Sequence, residues 1–374
     1  MSDYYIGIMT GTSLDAIDIA LVEFAETPIL IASDSVPLPD VLKRDLSDIS
    51  LPNAQIESLV AIKTLEQSYT NCVITALNLF LATPSVKTVR SNIKAIGIHG
   101  VTISHEPNLT MPFTWQLVDG HKIAARLNTD VVYDFRSKDV ALGGQGAPLV
   151  PMFHYSVFKN TELEIAVLNL GGIANVTKWA SKYNIIGFDT GPANTLLDFW
   201  IQKHQNLAYD KDGHWASTGT VNTALLSCLL DDDYFRQPYP KSTGKEYFNE
   251  SWLDAKLSVF LECNAVLKPQ DIQATLVQLT VESVALAIKQ LAKTKVLAVC
   301  GGGVHNQLLM ARLAVALPNV KVCSTAKFGI CPDNMEAMAF AWLAKCRVEN
   351  VPATLPTITG TSKPAVLGAW VSSA

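Results

Sequence analysis

The sequence predicts an α/β chain of two domains, and three observations predict it. Residues 6–24 (IGIMTGTSLDAIDIALVEF) and, more loosely, 166–179 (AVLNLGGIANVTKW) each run as an apolar β-like stretch into a turn of Gly, Thr, Ser or Asn and leave as a second apolar stretch. Such a hairpin leaves backbone N–H groups at its tip able to bind an anion. Strand-like and helix-like periods then alternate through both halves of the chain. Finally, 374 residues with 49% hydrophobic content exceed what one core usually serves.

The elements follow in order. After the first hairpin, residues 59–80 have helical periodicity and lead through a polar Pro/Ser stretch to an apolar strand at 95–99, which stops at Gly100. Residues 131–134 read as a strand, and Gly143, Gly144, Gly146 and Pro148 break the pattern behind it, so the domain crossover is placed at 128–151. The second hairpin comes next. Residues 185–189 form a strand entering a Gly-Pro turn, 196–202 an amphipathic helix and 272–292 a long helix. Strand 296–300 enters Gly301-Gly302-Gly303, and helices at 307–316 and 334–347 complete the series. The expected domains are 1–128 with 355–374, and 129–354. The halves echo each other in motif type and not in residue identity, so duplication is a hypothesis.

A net charge of -5 and a pI near 5.8 give no electrostatic footprint for nucleic acid, and no basic run suits a membrane surface. No apolar stretch reads as long enough to span a bilayer, and MSDYYIGIM lacks the basic start of a signal peptide. The 7 cysteines are scattered without C-x-x-C spacing, against a disulfide framework or zinc site. The expectation is a cytoplasmic protein with a small-molecule ligand and neither nucleic acid nor membrane as partner.

Four constellations offer chemistry. Gly11-Thr12-Ser13-Leu14-Asp15-Ala16-Ile17-Asp18 puts hydroxyls, backbone donors and two carboxylates on one turn. That suits phosphate oxygens and a magnesium ion held through water, but equally an ordinary turn. It is not a Walker loop, since G-x-x-x-x-G-K-[ST] is absent. Residues 169–177 carry the same ambiguity. Gly187-Phe188-Asp189-Thr190-Gly191-Pro192-Ala193-Asn194 sets an Asp at a strand end ahead of a helix, as a base or as an N-cap. Cys300-Gly301-Gly302-Gly303-Val304-His305-Asn306 lets a flat ligand or phosphate approach the backbone, or simply packs a helix.

Their order resembles the superfamily of sugar kinases, Hsp70 and actin. Residues 11–18, Asp134-Phe135-Arg136 followed by GGQGAPL at 143–149, NLGGIAN at 169–175, residues 187–194 and Glu336-Ala337 together resemble the anhydro-N-acetylmuramic acid kinase family. The resemblance covers nearly the whole chain. It implies two RNase H-like domains of actin/sugar-kinase type, with mixed sheets flanked by helices and an ATP cleft between them. It also implies ATP and Mg2+ as cofactors and a homodimer. The implied reaction opens the 1,6-anhydro ring of anhydro-N-acetylmuramic acid by hydrolysis and phosphorylates O6, giving N-acetylmuramic acid 6-phosphate and ADP in peptidoglycan recycling. Another small-molecule kinase or an ATP-gated binding protein of the same superfamily is the alternative.

The resemblance makes Asp189 the water-activating base and Glu336 a second acid that orients sugar or water, or else a helix first-turn acid. ATP falls to Gly11, Thr12, Ser13, Leu14, Asp15, Ala16, Ile17, Asp18, Gly171, Gly172, Asn175, Gly301, Gly302, Gly303 and Asn306, with Asp15 and Asp18 as metal ligands through water. Thr102, Arg136, Gln145 and Asn194 are the sugar-side candidates. Arg136 offers a planar fork for the lactyl carboxylate or the hydroxyls, or an ion pair with Asp134 or Asp139. His99 and His105 are expected to hydrogen-bond substrate or to serve structure, His154 to pack, and Phe113 and Trp115 to fill the core. The chain departs from the family pattern in carrying Ala16 and Ala193 where glycine is usual. Either methyl would strain its loop if φ there were positive.

Overall fold

The computed structural model describes residues 3–374 except 12, 51–53, 55–57, 264–266 and 292, and leaves the side chains of 262 and 263 aside. Its strands are β1 (Tyr4–Met9), β2 (Ala16–Phe24), β3 (Pro28–Pro37), β4 (Ile93–Ile98), β5 (Val101–Glu106), β6 (Phe113–Leu117), β7 (Val131–Tyr133), β8 (Ile165–Leu170), β9 (Ile173–Ser181), β10 (Asn184–Pro192), β11 (Val296–Cys300), β12 (Lys321–Ser324) and β13 (Ala369–Val371). Two compact units hold them: residues 1–159 with 334–374, and residues 160–333.

The first unit's main sheet has the order β13-β7-β4-β1-β2-β3. β1, β2 and β3 form an antiparallel meander, while β4 and β7 run parallel to β1. The second unit's sheet has the order β10-β9-β8-β11-β12, again an antiparallel meander with two strands parallel to its first member. The halves share one strand plan, so the duplication hypothesised from the hairpins is present in topology, and each unit has the expected mixed sheet flanked by helices.

Period-2 alternation explains the layering in the first unit. Ile6 and Ile8 on β1, with Ile17, Ile19 and Leu21 on β2, join the core that contains Tyr69, Val73, Leu77 and Phe80 of helix Leu59–Ala82. The intervening Gly7 and Gly97 face the other way, where a Cβ on either would run into the backbone of helix Met335–Val348. That helix therefore lies directly on β1 and β4.

This packing moves the domain boundary. Residues 129–159 and 334–354, assigned by sequence to the second domain, belong to the first unit. β7 is paired with β4 there, and helix Met335–Val348 is a layer of that sheet. Sequence periodicity marks elements but not which sheet receives them.

In the second unit, Leu168 and Leu170 of β8, Val176 of β9 and Phe188 of β10 share a core with Leu276, Val277, Val281 and Val284 of helix Pro269–Gln290. By length and hydropathy this helix would pass for a membrane span, contrary to the expectation that no stretch would; 78% of its apolar window is buried, which makes it a core helix. Phe113 and Trp115, expected in the core, lie on the two-stranded ribbon of β5 and β6 and are 44% and 42% exposed. A ribbon of two strands has only so much face to cover them.

Candidate active site

The first hairpin turn is closed by Leu14 N–H donating to Gly11 O (3.0 Å), with Leu14 in the left-handed region at φ 57°. Thr12 lies outside the described residues. Gly11 is half-buried and Ser13 exposed, while the side chains of Leu14 and Ile17 are core, so those two can serve a ligand only through their backbone. The carboxylates expected to share a metal meet different partners. Asp15 pairs with Lys43, and Asp18 Oδ1 accepts from Ser35 Oγ (2.7 Å). Among the described residues no three His, Cys, Asp or Glu gather as a ligand set. An ion bound here would keep most of its water shell, as Mg2+ commonly does.

A second cluster of the first unit surrounds Arg136. Its Nε donates to His99 Nε2 (3.0 Å) and its Nη1 to Gly146 O (2.7 Å). Asp139, fully buried, accepts instead from Gly146 N (2.7 Å) and from the hydroxyls of Thr354 (3.0 Å) and Thr359 (2.7 Å). Gln145 donates from its backbone to Thr359 O and from its side chain to Asn108 Oδ1 (3.1 Å). Thr102 Oγ1 accepts from Gln116 Nε2 (3.3 Å). His105 Nδ1 lies 2.9 Å from Thr114 Oγ1. Burial, then the Arg136 charge, lowers the His105 pKa to about 4, against a partial opposing effect of the Gln145 carbonyl. Burial thus favours neutral rings at both histidines flanking Gly100; each sets Nδ1 beside a protein oxygen, and the buried Nε2 of His105 has no hydrogen-bond partner among the described residues. Glu336 sits half-buried in the first turn of helix Met335–Val348.

In the second unit, strand register assembles the polar groups. Asp189 of β10 pairs with Asn175 of β9, Asn175 with Asn169 of β8, and Asn169 with Cys300 of β11. Paired residues point the same way, and these alternate with Leu168, Leu170, Val176 and Phe188, so the row lies on the sheet face opposite helix Pro269–Gln290. β10 continues past Asp189 to Pro192, with an irregularity in register between Asp189 and Gly191. Asp189 is thus in a strand, and neither at its end nor an N-cap.

Asp189 is 6% exposed and held at three points: its N–H donates to Lys241 O (3.1 Å), its carbonyl accepts from Tyr234 Oη (2.7 Å), and Oδ2 accepts from Thr243 N–H (2.9 Å). Lys241 lies over the Tyr234 ring, 4.5 Å from its centre, and Nζ donates to Tyr234 O. Burial lowers the Lys241 pKa, and the Asp189 charge partly restores it. Tyr234, Lys241 and Thr243 were not found by sequence reasoning, because they reach Asp189 across 45 to 54 residues of chain without any local motif.

The glycine turns play divided roles. Gly171 O accepts from Asn194 N–H, and Gly172 O from Ala193 and Thr195 N–H, at 2.9–3.1 Å, tying the hairpin to the start of helix Asn194–Gln205. Asn194 Nδ2 donates to Leu170 O (3.2 Å), so the candidate sugar ligand braces the same turn. Gly301 requires glycine: φ is +79°, and a Cβ would strike Asn169 Oδ1 and Leu170 O. A Cβ on Gly302 would stand in ordinary contact with Asn194 Nδ2 at 4.0 Å, and Gly303 lies against Leu170. Asn306, expected at the nucleotide, caps helix Gln307–Ala316 by accepting from Leu309 N–H (3.0 Å). A capping side chain is spent on helix donors.

The family model described as anhydro-N-acetylmuramic acid kinase matches residues 3–373. The anhydro-N-acetylmuramic acid kinase of Pasteurella multocida is 46% identical over 373 residues, covering 98% of this chain and 96% of that protein. The protein of the same name from Haemophilus influenzae is 46% identical over 376 residues, covering 98% and 97%, and that from Vibrio cholerae 44% over 369, covering 98% and 97%. Among solved structures, a ROK family glucokinase from Streptomyces griseus in complex with glucose and AMPPNP aligns with a TM-score of 0.42 at 13% identity, covering 91% of this chain and 99% of that one.

Proposed function

The chain belongs to the anhydro-N-acetylmuramic acid kinase family over nearly its whole length, and from that premise we propose how its residues couple hydrolysis of the anhydro bridge to phosphoryl transfer from ATP. Water adds to the anomeric carbon as the C1–O6 bond breaks. O6 forms its bond to the γ-phosphorus as the bridging P–O bond breaks and leaves with ADP. One proton of the attacking water passes to the Asp189 carboxylate. Simultaneous positioning of water, sugar and phosphate supplies much of the rate.

The observation that supports this reading is the hold on Asp189. A general base must be aimed, and the Thr243 amide bound to Oδ2, with both backbone groups of Asp189 engaged, fixes the carboxylate plane. Glu336 is assigned to orienting sugar or water, and Arg136 with Thr102 and Gln145 to the sugar. The turn at 11–18, the turn at 171–172 and Gly301–Gly303 are assigned to ATP. Mg2+, held through water by Asp15 and Asp18, would screen phosphate charge.

Mass spectrometry of products from Mg-ATP, anhydro-N-acetylmuramic acid and ¹⁸O water tests the reaction. A 6-phosphate sugar with heavy oxygen at C1, reduced by at least about a hundredfold in Asp189→Asn, is expected for loss of a general base. ADP without phosphorylated sugar would overturn the reading. Homodimerisation and a cytoplasmic location belong to the same proposal. Sedimentation at micromolar concentration checks the first, and a monomer there removes it.

A further inference from the structure

Two arms from one stretch of chain reach Asp189. Tyr234 Oη donates to its carbonyl (2.7 Å); further on, Lys241 O accepts from its N–H (3.1 Å) and Thr243 N–H donates to Oδ2 (2.9 Å). Among the described residues, the stretch 231–249 holds one element of regular structure, the short helix Asp233–Arg236. A segment without ladder hydrogen bonds keeps a fixed geometry only where its side chains tie it down.

Asp232 supplies such a tie. Its carboxylate, 8% exposed, accepts on Oδ1 from Tyr234 N–H (3.0 Å) and Tyr247 Oη (2.7 Å) and on Oδ2 from Trp252 Nε1 (2.9 Å), with Lys256 Nζ 3.4 Å from Oδ2. Trp252 and Lys256 stand one turn apart on helix Glu250–Cys263. Burial alone would raise the Asp232 pKa, but the bonds from Trp252, Tyr247 and the Tyr234 amide, with the Lys256 charge, hold it below its ordinary value. Burial, then the bond to Asp232, raises the Tyr247 pKa to about 12, so this hydroxyl keeps the proton it donates. Burial, then the Asp189 charge, likewise raises Tyr234, whose acceptor is a carbonyl with no proton to give. Fully buried Phe248 packs edge-on between the two sides, 5.4 Å from the Tyr234 ring and 5.0 Å from that of Trp252. One carboxylate thus fixes the root of the first arm, at Tyr234, and the far end of the second, at Tyr247, to a single helix.

We propose that Asp232 is a positioning residue for the general base, aiming the Asp189 carboxylate by holding Tyr234 and, through Tyr247, the loop of Lys241 and Thr243 against helix Glu250–Cys263. This rests on the reading of Asp189 as the base. Displacing a reacting group by about 1 Å can cost about a hundredfold in rate, so the loss belongs in turnover and not in affinity for sugar or ATP. Asp232→Asn keeps the shape of the side chain but exchanges one acceptor for a donor among groups that themselves donate. Tyr247→Phe and Tyr234→Phe each remove one hydroxyl and keep the ring.

The test is steady-state kinetics with ¹⁸O product analysis and thermal melting of these three variants, of the double variant Asp232→Asn/Tyr247→Phe and of Asp189→Asn. Asp232→Asn should lower kcat about tenfold or more, and each hydroxyl deletion about threefold or more, with both KM values within about twofold of wild type. Because Tyr247 acts through Asp232, the double variant should fall no more than about twofold below Asp232→Asn alone. A kcat loss under about threefold in Asp232→Asn overturns the proposal, as does a sugar or ATP KM that rises as much as kcat falls. A double variant whose loss is the product of the two single losses overturns it as well. If Asp232→Asn does not fold, the two hydroxyl deletions decide by the same kcat and KM criteria. If Asp189→Asn keeps labelled turnover within about tenfold of wild type, the assignment of the base is at fault and the proposal falls with it. An inactive Asp189→Asn beside an unimpaired Asp232→Asn removes the positioning role and leaves the base in place.

Discussion

Ala16 and Ala193 show how a single dihedral decides whether a substitution matters. Neither has the positive φ that favours glycine: Ala16 opens strand β2, and Ala193 has φ -123° and ψ -107°. The methyl groups therefore carry no left-handed strain, and Ala193 is buried at 1% exposure. Restoring glycine at 16, where Ala16 opens a strand, adds conformational freedom to the unfolded chain without relieving anything in the folded one. Ala16→Gly is expected to lower stability by about 0.5–1 kcal/mol and to leave turnover intact. Urea unfolding would show it, and a rise in stability would overturn it. Gly301 is the contrasting case, where the backbone and Asn169 leave no room for a Cβ.

Packing of elements places the site residues. Helix Met335–Val348 carries Glu336 and contacts β1 and β4 through the faces of Gly7 and Gly97. The obstacle to a Cβ at Gly7 is main chain, Ala337 O and Ala341 N, which cannot rotate away. Gly7→Ala must push the whole helix outward, at a cost of about 1–3 kcal/mol or more for an overpacked core. It should lower the melting temperature and also reduce turnover, because the displaced helix takes Glu336 with it. Calorimetry with parallel kinetics would check both; an unchanged melting temperature would contradict the close approach. In the second unit, strand pairing does the equivalent work by bringing Asp189, Asn175 and Asn169 into one row.

For the whole molecule, buried histidines set the acid limit of stability. Burial lowers the pKa of His154 to about 3 and, with the Arg136 charge, that of His105 to about 4; His99 shifts in the same direction. All three belong to the first unit. The unfolded chain, with histidines near 6.5, then binds more protons than the folded one between that value and the folded pKa values. Stability is complete above pH 6.5 and falls as the pH drops towards 4. The aspartates with lowered pKa values, Asp119, Asp130 and Asp232, add their loss only below 3.8. Melting temperatures at constant ionic strength should decline through the first window, with a shallower slope in His154→Met. A flat profile from 6.5 to 4 would show that the three rings are not held neutral by the fold.

By itself the sequence determined the local units and the family. The hairpins at 6–24 and 166–179, helices at 59–80 and 307–316 and the glycine turn at 301–303 are legible because period, turn chemistry and glycine tolerance act over a few residues. Asp189 and the glycine turns were legible as a motif for the same reason. Tertiary structure alone decided what depends on groups distant in sequence. It assigned residues 129–159 and 334–354 to the first unit, set Tyr234 and Thr243 on Asp189, turned Asn306 and Asn194 to bracing, brought Lys43 to Asp15 and Ser35 to Asp18, and joined His99 to Arg136. A hydrogen bond across tens of residues leaves no periodic trace in either segment. Its geometry exists only once both have been packed against a common sheet.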